Sequence, residues 1–238
     1  MPMTTLDPRL LLKGYAMGIF PMADSREAED VFWVEPRQRA IIPIEHFHVS
    51  RSLRRTLASG RFQVTLDKDF ESVIAGCADR DETWINADIE RAMLALHRLG
   101  HAQSVEVWSG RDLVGGTYGV KLGRAFFGES MFSRKTDASK VALAWLIARL
   151  EVGRFTLFDC QFMTSHLASL GAVTVPRDRY VALLGEALGG GDAAGAEGVE
   201  AAPEPDFFAL DALLESEVPG GAGGPAGKFI AQLLGHTS

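Results

Sequence analysis

The fold is decided by residues 104–128, which read SVEVWSGRDLVGGTYGVKLGRAFFG. Three stretches in it, Ser104–Trp108, Asp112–Val120 and Arg124–Gly128, are separated by two short turns that each contain a glycine. Because short glycine-containing turns join antiparallel neighbours, the pattern predicts three consecutive strands of a β-meander.

A long helix and a further strand are expected directly after the meander. Asp137 is a suitable N-cap for a helix from Ala138 to about Val152. The largely apolar run Phe155–Cys160 is typical of a strand buried on both faces. Shorter helical patterns flank this unit, at 7–17, 50–59, 69–77, 86–99 and 177–188. Together these elements predict an α+β fold with a mixed, mainly antiparallel sheet.

The net charge of −7 is distributed unevenly along the chain. Residues 186–238 hold nine of the 31 acidic residues and one of the 24 basic ones, so residues 1–185 hold 22 acidic and 23 basic residues. The acidic balance therefore does not exclude a nucleic-acid partner for the body of the protein. Segment 37–61 has a local excess of arginine and includes Arg51, Arg54 and Arg55, which could contact phosphates or simply form a solvated helix face.

Other features of the sequence restrict the class of protein. The two cysteines are Cys77 and Cys160, and no secretory signal or CxxC pair is present, so we expect a cytoplasmic protein without a zinc site. No run approaches the roughly 18 apolar residues that a membrane span needs. The Gly/Ala-rich tail contains two apolar islands, Phe207–Leu214 and Phe229–Leu234, which we expect to dock on the body as short helices.

Several short words of sequence occur in a characteristic order. They are GIFP (18–21), FHVSRS (47–52), TWIN (83–86), HAQSVEVW (101–108), LVGGTYGV (113–120), GESMFS (128–133), ASK (138–140), DCQ (159–161) and HLASLGA (166–172). In this set and order the chain resembles the leucyl/phenylalanyl-tRNA–protein transferase family. It departs from the family at Met22, where many members have tryptophan after GIFP.

The resemblance implies an architecture and an activity. A small N-terminal α/β domain (1–66) precedes a GNAT-like acyltransferase domain (67–188), and the acidic tail (189–238) is expected to be partly flexible. The enzyme implied is an aminoacyltransferase that moves leucine or phenylalanine from aminoacyl-tRNA to the N-terminal Arg or Lys of acceptor proteins, which marks them for N-degron proteolysis. We expect no cofactor and no metal, because the aminoacyl ester is already activated, and we expect a monomer with no membrane partner.

Three residues are predicted to carry the chemistry. Asp159 and Gln161 end the apolar strand and, at i and i+2, would face the same cleft. By resemblance, Gln161 handles the attacking amine and Asp159 holds it in place. Glu129 is implied to recognise the basic acceptor residue, unless it forms a salt bridge with Arg134 or Lys140.

Substrate-binding residues are also implied by the resemblance. Thr117, Leu146 and Leu150 would line an apolar pocket for the donor side chain, although ordinary core packing explains them equally well. Trp84 could stack on the terminal adenine, with Met22 beside the same substrate.

Two other functions fit a protein of this kind. A GNAT-type N-acetyltransferase would use acetyl-CoA, but the turn SRKTDASK (133–140) lacks the glycines expected of a pyrophosphate cradle. A non-catalytic tRNA-binding protein would need only the basic segment.

Overall fold

The structure is a computed structural model that describes residues 6–189, 203–218 and 224–235 of the 238-residue chain. The strands are β1 (Phe20–Met22), β2 (Phe32–Val34), β3 (Gln38–Ile41), β4 (Gln63–Leu66), β5 (Ala102–Ser109), β6 (Asp112–Leu122), β7 (Ala125–Ser133), β8 (Leu157–Gln161) and β9 (Val173–Pro176). The helices are α1 (Pro8–Ala16), α2 (Arg51–Ala58), α3 (Phe70–Ala78), α4 (Ala87–Arg98), α5 (Ala138–Val152), α6 (Ser165–Ala168), α7 (Arg177–Ala187), α8 (Ala209–Glu217) and α9 (Gly224–Leu233), with a 3-10 turn at Ile44–His46.

One mixed sheet organises the molecule. Within the described residues it has seven strands in the order β4-β5-β6-β7-β8-β3-β9, and β1 pairs with β2 in a separate ribbon. The predicted meander forms β5, β6 and β7, and β7 and β8 are parallel while the other neighbours are antiparallel. The α+β class with a mixed sheet is therefore confirmed. Because β3 and β4 belong to this sheet, it crosses the domain boundary that we placed at residue 66.

The parallel pair β7–β8 is short, and this opens the sheet. The two strands are hydrogen-bonded only where Ala125–Phe127 lies beside Leu157–Asp159, yet β7 continues to Ser133 and β8 to Gln161. Gly128 follows the last paired residue, and a Cβ there would approach the Phe158 ring to 2.8 Å. A cleft thus begins where the two strands stop pairing.

The two faces of the sheet bury separate cores. Phe126 belongs to the core beneath α5, and its neighbour Phe127 to the core beneath α1, α3 and α4, as alternation along a strand requires. The helix α5 is buried on nearly all sides because α8 and α9 cover its outer face. Phe207, just before α8, stacks on Phe126 with ring centroids 5.4 Å apart.

Both apolar islands of the tail dock as helices, as predicted. Arg149 of α5, almost fully buried, donates to the carboxylate of Asp211 on α8 at 2.5 and 2.9 Å. The expected flexibility of the tail concerns residues 190–202, 219–223 and 236–238, which lie outside the described residues.

Two local predictions were wrong. The strand β1 forms at Phe20–Met22, just after the helix predicted at 7–17 and where no strand was expected, because β2 supplies its partner. Asp137 does not cap α5 with its side chain; it has φ +70°, and its carboxylate instead approaches Lys140 Nζ at 3.4 Å.

Candidate active site

Asp159 lies at the centre of a buried hydrogen-bond cluster. Its carboxylate accepts hydrogen bonds from Arg39 Nε at 2.9 and 3.0 Å, from Arg39 Nη2 at 2.6 Å and from the Tyr180 hydroxyl at 2.7 Å. The backbone N–H of Gln161 adds a further bond at 2.8 Å. Asp159 is 0% exposed, and the residues that line the cleft include Gln161 but not Asp159. The predicted shared face of Asp159 and Gln161 is therefore wrong, and Asp159 can act only through its neighbours.

Gln161 has an unusual backbone conformation, so its side chain does not follow the alternating pattern of the strand. Its φ of +62° lies in the left-handed region, which costs a non-glycine residue about 1–2 kcal/mol. The hydrogen bond from its N–H to Asp159 offsets part of that cost. Its side-chain Nε2 then donates to Glu129 Oε1 at 2.8 Å, so the last residue of β8 is joined to β7 across the cleft.

Glu129 is a buried carboxylate with one acceptor atom left over. It is 7% exposed, and Oε2 has no partner at hydrogen-bond geometry among the described residues. Burial raises the pKa of Glu129 to about 8, and the negative charge of Asp159 adds to that effect. The Tyr15 hydroxyl lies close enough to lower this pKa, although it stands outside strict hydrogen-bond geometry. The salt-bridge alternatives are not present, since Arg134 pairs with Asp79 and Lys140 with Asp137.

The cleft is a largely apolar cavity of about 230 Å³ with this polar pair in its wall. Thr117 lines it, and its hydroxyl donates a hydrogen bond to the Ser130 carbonyl at 3.0 Å. Other apolar lining residues are Met131, Leu143, Phe158 and Leu167. A cavity of this character suits one apolar side chain next to a polar reacting group.

Leu146 and Leu150 are placed in the core, one and two turns further along α5. Both are almost fully buried and neither lines the cleft, whereas Leu143 on the same helix face does. The role of Leu146 and Leu150 in binding the donor side chain therefore stays a prediction, and their observed place is the core.

Trp84 and Met22 lie near each other at the cleft opening. Trp84 lines both the cleft and a neighbouring surface depression, and Met22 lines that depression. The Trp84 carbonyl accepts a hydrogen bond from Ala23 N at 3.1 Å, which fixes the two segments together.

Sequence reasoning missed several groups around the cleft. Phe162 is 45% exposed on its wall and packs edge-to-face on Phe20, with centroids 5.5 Å apart. Arg80 also lines the cleft and donates to the Met131 carbonyl at 3.1 Å. Arg39 was counted with the basic segment, but it is buried against Asp159. Phe162 could have been proposed from the sequence because it directly follows Gln161. Nothing in the sequence indicates that Arg39 pairs with Asp159.

The predicted phosphate-binding arginines lie together on the exposed face of α2. Arg51 and Arg55 are exposed, and Arg54 donates to the carbonyl of Ala231 on α9 at 3.3 Å. Arg54 therefore also holds the tail helix.

No group of three or more His, Cys, Asp or Glu side chains in the described part of the chain is arranged to hold a metal ion. In residues 6–189, 203–218 and 224–235, no helix is long and apolar enough to cross a bilayer.

Comparison with known proteins identifies the relatives of this chain. Residues 41–185 match the model of the leucyl/phenylalanyl-tRNA protein transferase family, and residues 4–37 match the model of its N-terminal domain. A leucyl/phenylalanyl-tRNA–protein transferase of Rhizorhabdus wittichii is 56% identical over 99% of this chain and 100% of its own length. One from Cereibacter sphaeroides is 61% identical over 78% of this chain and 86% of its own length. Among solved structures, FemX matches with a TM-score of 0.44 and 12% identity over 70% of this chain and 66% of its own. The chain belongs to the leucyl/phenylalanyl-tRNA–protein transferase family.

Proposed function

We propose that this enzyme transfers leucine or phenylalanine from aminoacyl-tRNA to the N-terminal Arg or Lys of acceptor proteins, forming a peptide bond that marks them for N-degron proteolysis. The observation that carries the proposal is the Glu129–Gln161 pair in the wall of an apolar cleft. Family membership supports the same reaction. The reaction is expected in the cytoplasm, where charged tRNA is available, with the enzyme acting as a monomer.

The chemistry requires positioning more than activation. The ester that joins an amino acid to the tRNA 3′ end already carries a good leaving group, so an amine held against its carbonyl reacts without ATP or metal. The apolar cleft would hold the donor side chain and bring the ester carbonyl to the polar pair. Because Leu and Phe side chains differ little in their burial free energy, an apolar pocket of this kind accepts both.

The place of the acceptor amine follows from the hydrogen bonds. Glu129 is nearly buried and already bound to Gln161, so its free oxygen is suited to a small donor such as an α-amine. The basic side chain of the acceptor would then extend toward the cleft opening, where Trp84 and Phe162 offer aromatic faces for a cation. This arrangement assigns Glu129 to the amine and leaves recognition of Arg or Lys to the opening.

A transfer assay tests the proposal directly. Radiolabelled Leu-tRNA and a protein that begins with Arg should give labelled protein, and a matched protein that begins with Asp should remain unlabelled. Acetyl-CoA at saturating concentration should leave the melting temperature unchanged. Binding of tRNA without any transfer would instead indicate a non-catalytic binding protein, and stabilisation by acetyl-CoA would indicate an acetyltransferase.

The donor pocket can be tested with one substitution at two positions of α5. Leu143→Phe narrows the cleft, so kcat/KM for Phe-tRNA should fall about tenfold more than kcat/KM for Leu-tRNA. Leu146→Phe overpacks the core instead, and should cost about 1–3 kcal/mol of stability without changing the ratio of the two donors. Equal effects of both variants on the donor ratio would mean that the pocket extends to Leu146.

The basic face of α2 is expected to bind tRNA phosphates. Replacing Arg51 and Arg55 with Gln should weaken tRNA binding and reduce the slope of log Kd against log salt by about 1 to 2. Arg54 is left intact because its loss would also disturb α9. Arg98→Gln, at an exposed site on α4, is the control and should leave the slope unchanged. An unaltered slope in the double variant would show that this face is only solvated.

A further inference from the structure

A group of buried polar atoms lies at and behind the cleft, and the proposed transfer reaction gives most of them no role. Glu129 Oε2, the Tyr15 hydroxyl and the Tyr118 hydroxyl are all buried without a partner at hydrogen-bond geometry in the described part of the chain. Leaving such atoms unpaired costs free energy, so their persistence calls for a function. They come from three different elements, β7, α1 and β6, which converge on the one carboxylate.

The reaction itself needs an acceptor for one proton. When the α-amine attacks the ester carbonyl, its nitrogen becomes cationic and must lose a proton before the peptide bond is stable. Gln161 is a poor candidate, because an amide does not titrate near neutral pH and its Nε2 already donates to Glu129. Asp159 is fully engaged and is not among the residues that line the cleft. Burial raises the pKa of the Cys160 thiol well above its usual range, which excludes a thiolate.

We propose that Glu129 Oε2 accepts the proton of the attacking α-amine, and that Tyr15 is the positioning residue that favours the ionised form of this carboxylate. The proposal rests on the proposed function and assigns the proton transfer within it. Gln161 becomes the group that fixes Oε1 and so points Oε2 at the amine.

The step balances without any further reactant. The amine nitrogen forms the new C–N bond, and one of its protons passes to Glu129 Oε2. The C–O ester bond then breaks, and the ribose oxygen of the tRNA leaves with a proton that the Glu129 carboxylic acid returns. The net change is one peptide bond formed, one ester bond broken and the carboxylate restored.

The surroundings of Glu129 tune it for this task. The titratable and polar groups that interact electrostatically with it are Tyr15 from α1, Arg39 from β3, Tyr118 from β6, and Asp159 and Gln161 from β8. Burial dominates and raises the pKa of Glu129 to about 8, while the Tyr15 hydroxyl opposes that rise. A general base is most effective when its pKa lies near the operating pH, so this carboxylate is suited to take up the proton.

The test is the pH profile of single-turnover transfer from preloaded Leu-tRNA at saturating acceptor. Tyr15→Phe removes the hydroxyl that stabilises the ionised carboxylate. The rise of the transfer rate with pH (the rising limb) should therefore move to higher pH by about half a unit or more. The acceptor KM should stay unchanged. Ser104→Ala is the control: it also deletes one buried hydroxyl, which donates to Glu106 and does not interact with Glu129, so the pH profile should stay in place. Glu129→Gln should slow transfer by about 10²-fold or more at every pH. The titration of the acceptor amine is the same in all variants and cannot produce these differences.

Several outcomes would overturn the proposal. One is a Tyr15→Phe pH profile that superimposes on that of the wild type. Another is the same displacement of the profile in Ser104→Ala. A third is loss of the rise with pH in His166→Asn, since His166 also lines the cleft. Absence of transfer by the wild type would instead overturn the proposed function, so the two failures are distinguishable.

A second measurement covers the case in which Tyr15→Phe does not fold. Glu129 has a folded-state pKa above its unfolded value, so its favourable contribution to stability is complete below about pH 4.5 and is lost as the pH rises through about 8. The melting temperature of the wild type should therefore fall relative to that of Glu129→Gln between pH 6 and pH 9. A constant difference over that range would show that Glu129 does not titrate near 8, and the proposal would fail.

Discussion

Asp159→Ala is expected to lower kcat by about 10²-fold or more and to lower the free energy of unfolding by about 3–5 kcal/mol. The loss of stability arises because the Arg39 guanidinium, 1% exposed, would remain buried without its carboxylate. The loss of activity arises because the Gln161 N–H would lose the acceptor that supports its left-handed backbone. For a chain of this length the melting temperature should drop by roughly 6–20 °C. Binding of tRNA, measured below the transition, should be retained because α2 is not part of this cluster.

A double variant separates the two effects of Asp159. Replacing Arg39 with Met and Asp159 with Leu removes both charges at once, and a buried ion pair can often be replaced by apolar residues without loss of stability. The double variant should therefore melt close to the wild type but still transfer slowly, since the Gln161 N–H has no carboxylate to bind. Recovery of turnover along with stability would mean that Asp159 only neutralises Arg39. Unchanged turnover in Asp159→Ala would refute its placement in the site altogether.

The elements that the sequence predicts correctly are those whose signals are local. Ser50, Asp69 and Asn86 each accept a hydrogen bond from the backbone at the start of the helix that they were expected to begin. The meander followed from alternation and glycine turns in the same way. Errors occur where the partner is distant. The strand β1 depends on its pairing with β2, and the left-handed Asp137 contacts Thr56, which lies 81 positions earlier in the chain.

For the site, too, the sequence predicted some features correctly and missed those that depend on distant residues. Family resemblance pointed to Glu129 and Gln161, and the structure brings the two side chains to 2.8 Å. Resemblance could not show that Asp159 is enclosed by Arg39 and Tyr180, because those residues lie 120 and 21 positions away. Strand periodicity also could not predict the direction of the Gln161 side chain. Alternation of side chains assumes an extended backbone, and Gln161 leaves that conformation at φ +62°. A functional residue in a strained conformation is a place where sequence rules are expected to fail.

Substitution of Gln161 is also expected to have a large effect on turnover. Comparing two variants shows how its left-handed backbone affects stability and activity. Gln161→Ala and Gln161→Gly both delete the amide that fixes Glu129 Oε1, so each should lower kcat by about 10²-fold. They differ in backbone cost: glycine adopts the left-handed region freely, whereas alanine does not, so the glycine variant should be more stable by about 1 kcal/mol. Equal stability of the two variants would mean that residue 161 leaves the left-handed region once its side chain is removed. In that case the Gln161–Glu129 hydrogen bond, more than the bond to Asp159, holds the backbone at φ +62°. Retained turnover in the glycine variant alone would show that the backbone geometry, and not the amide, is what catalysis requires.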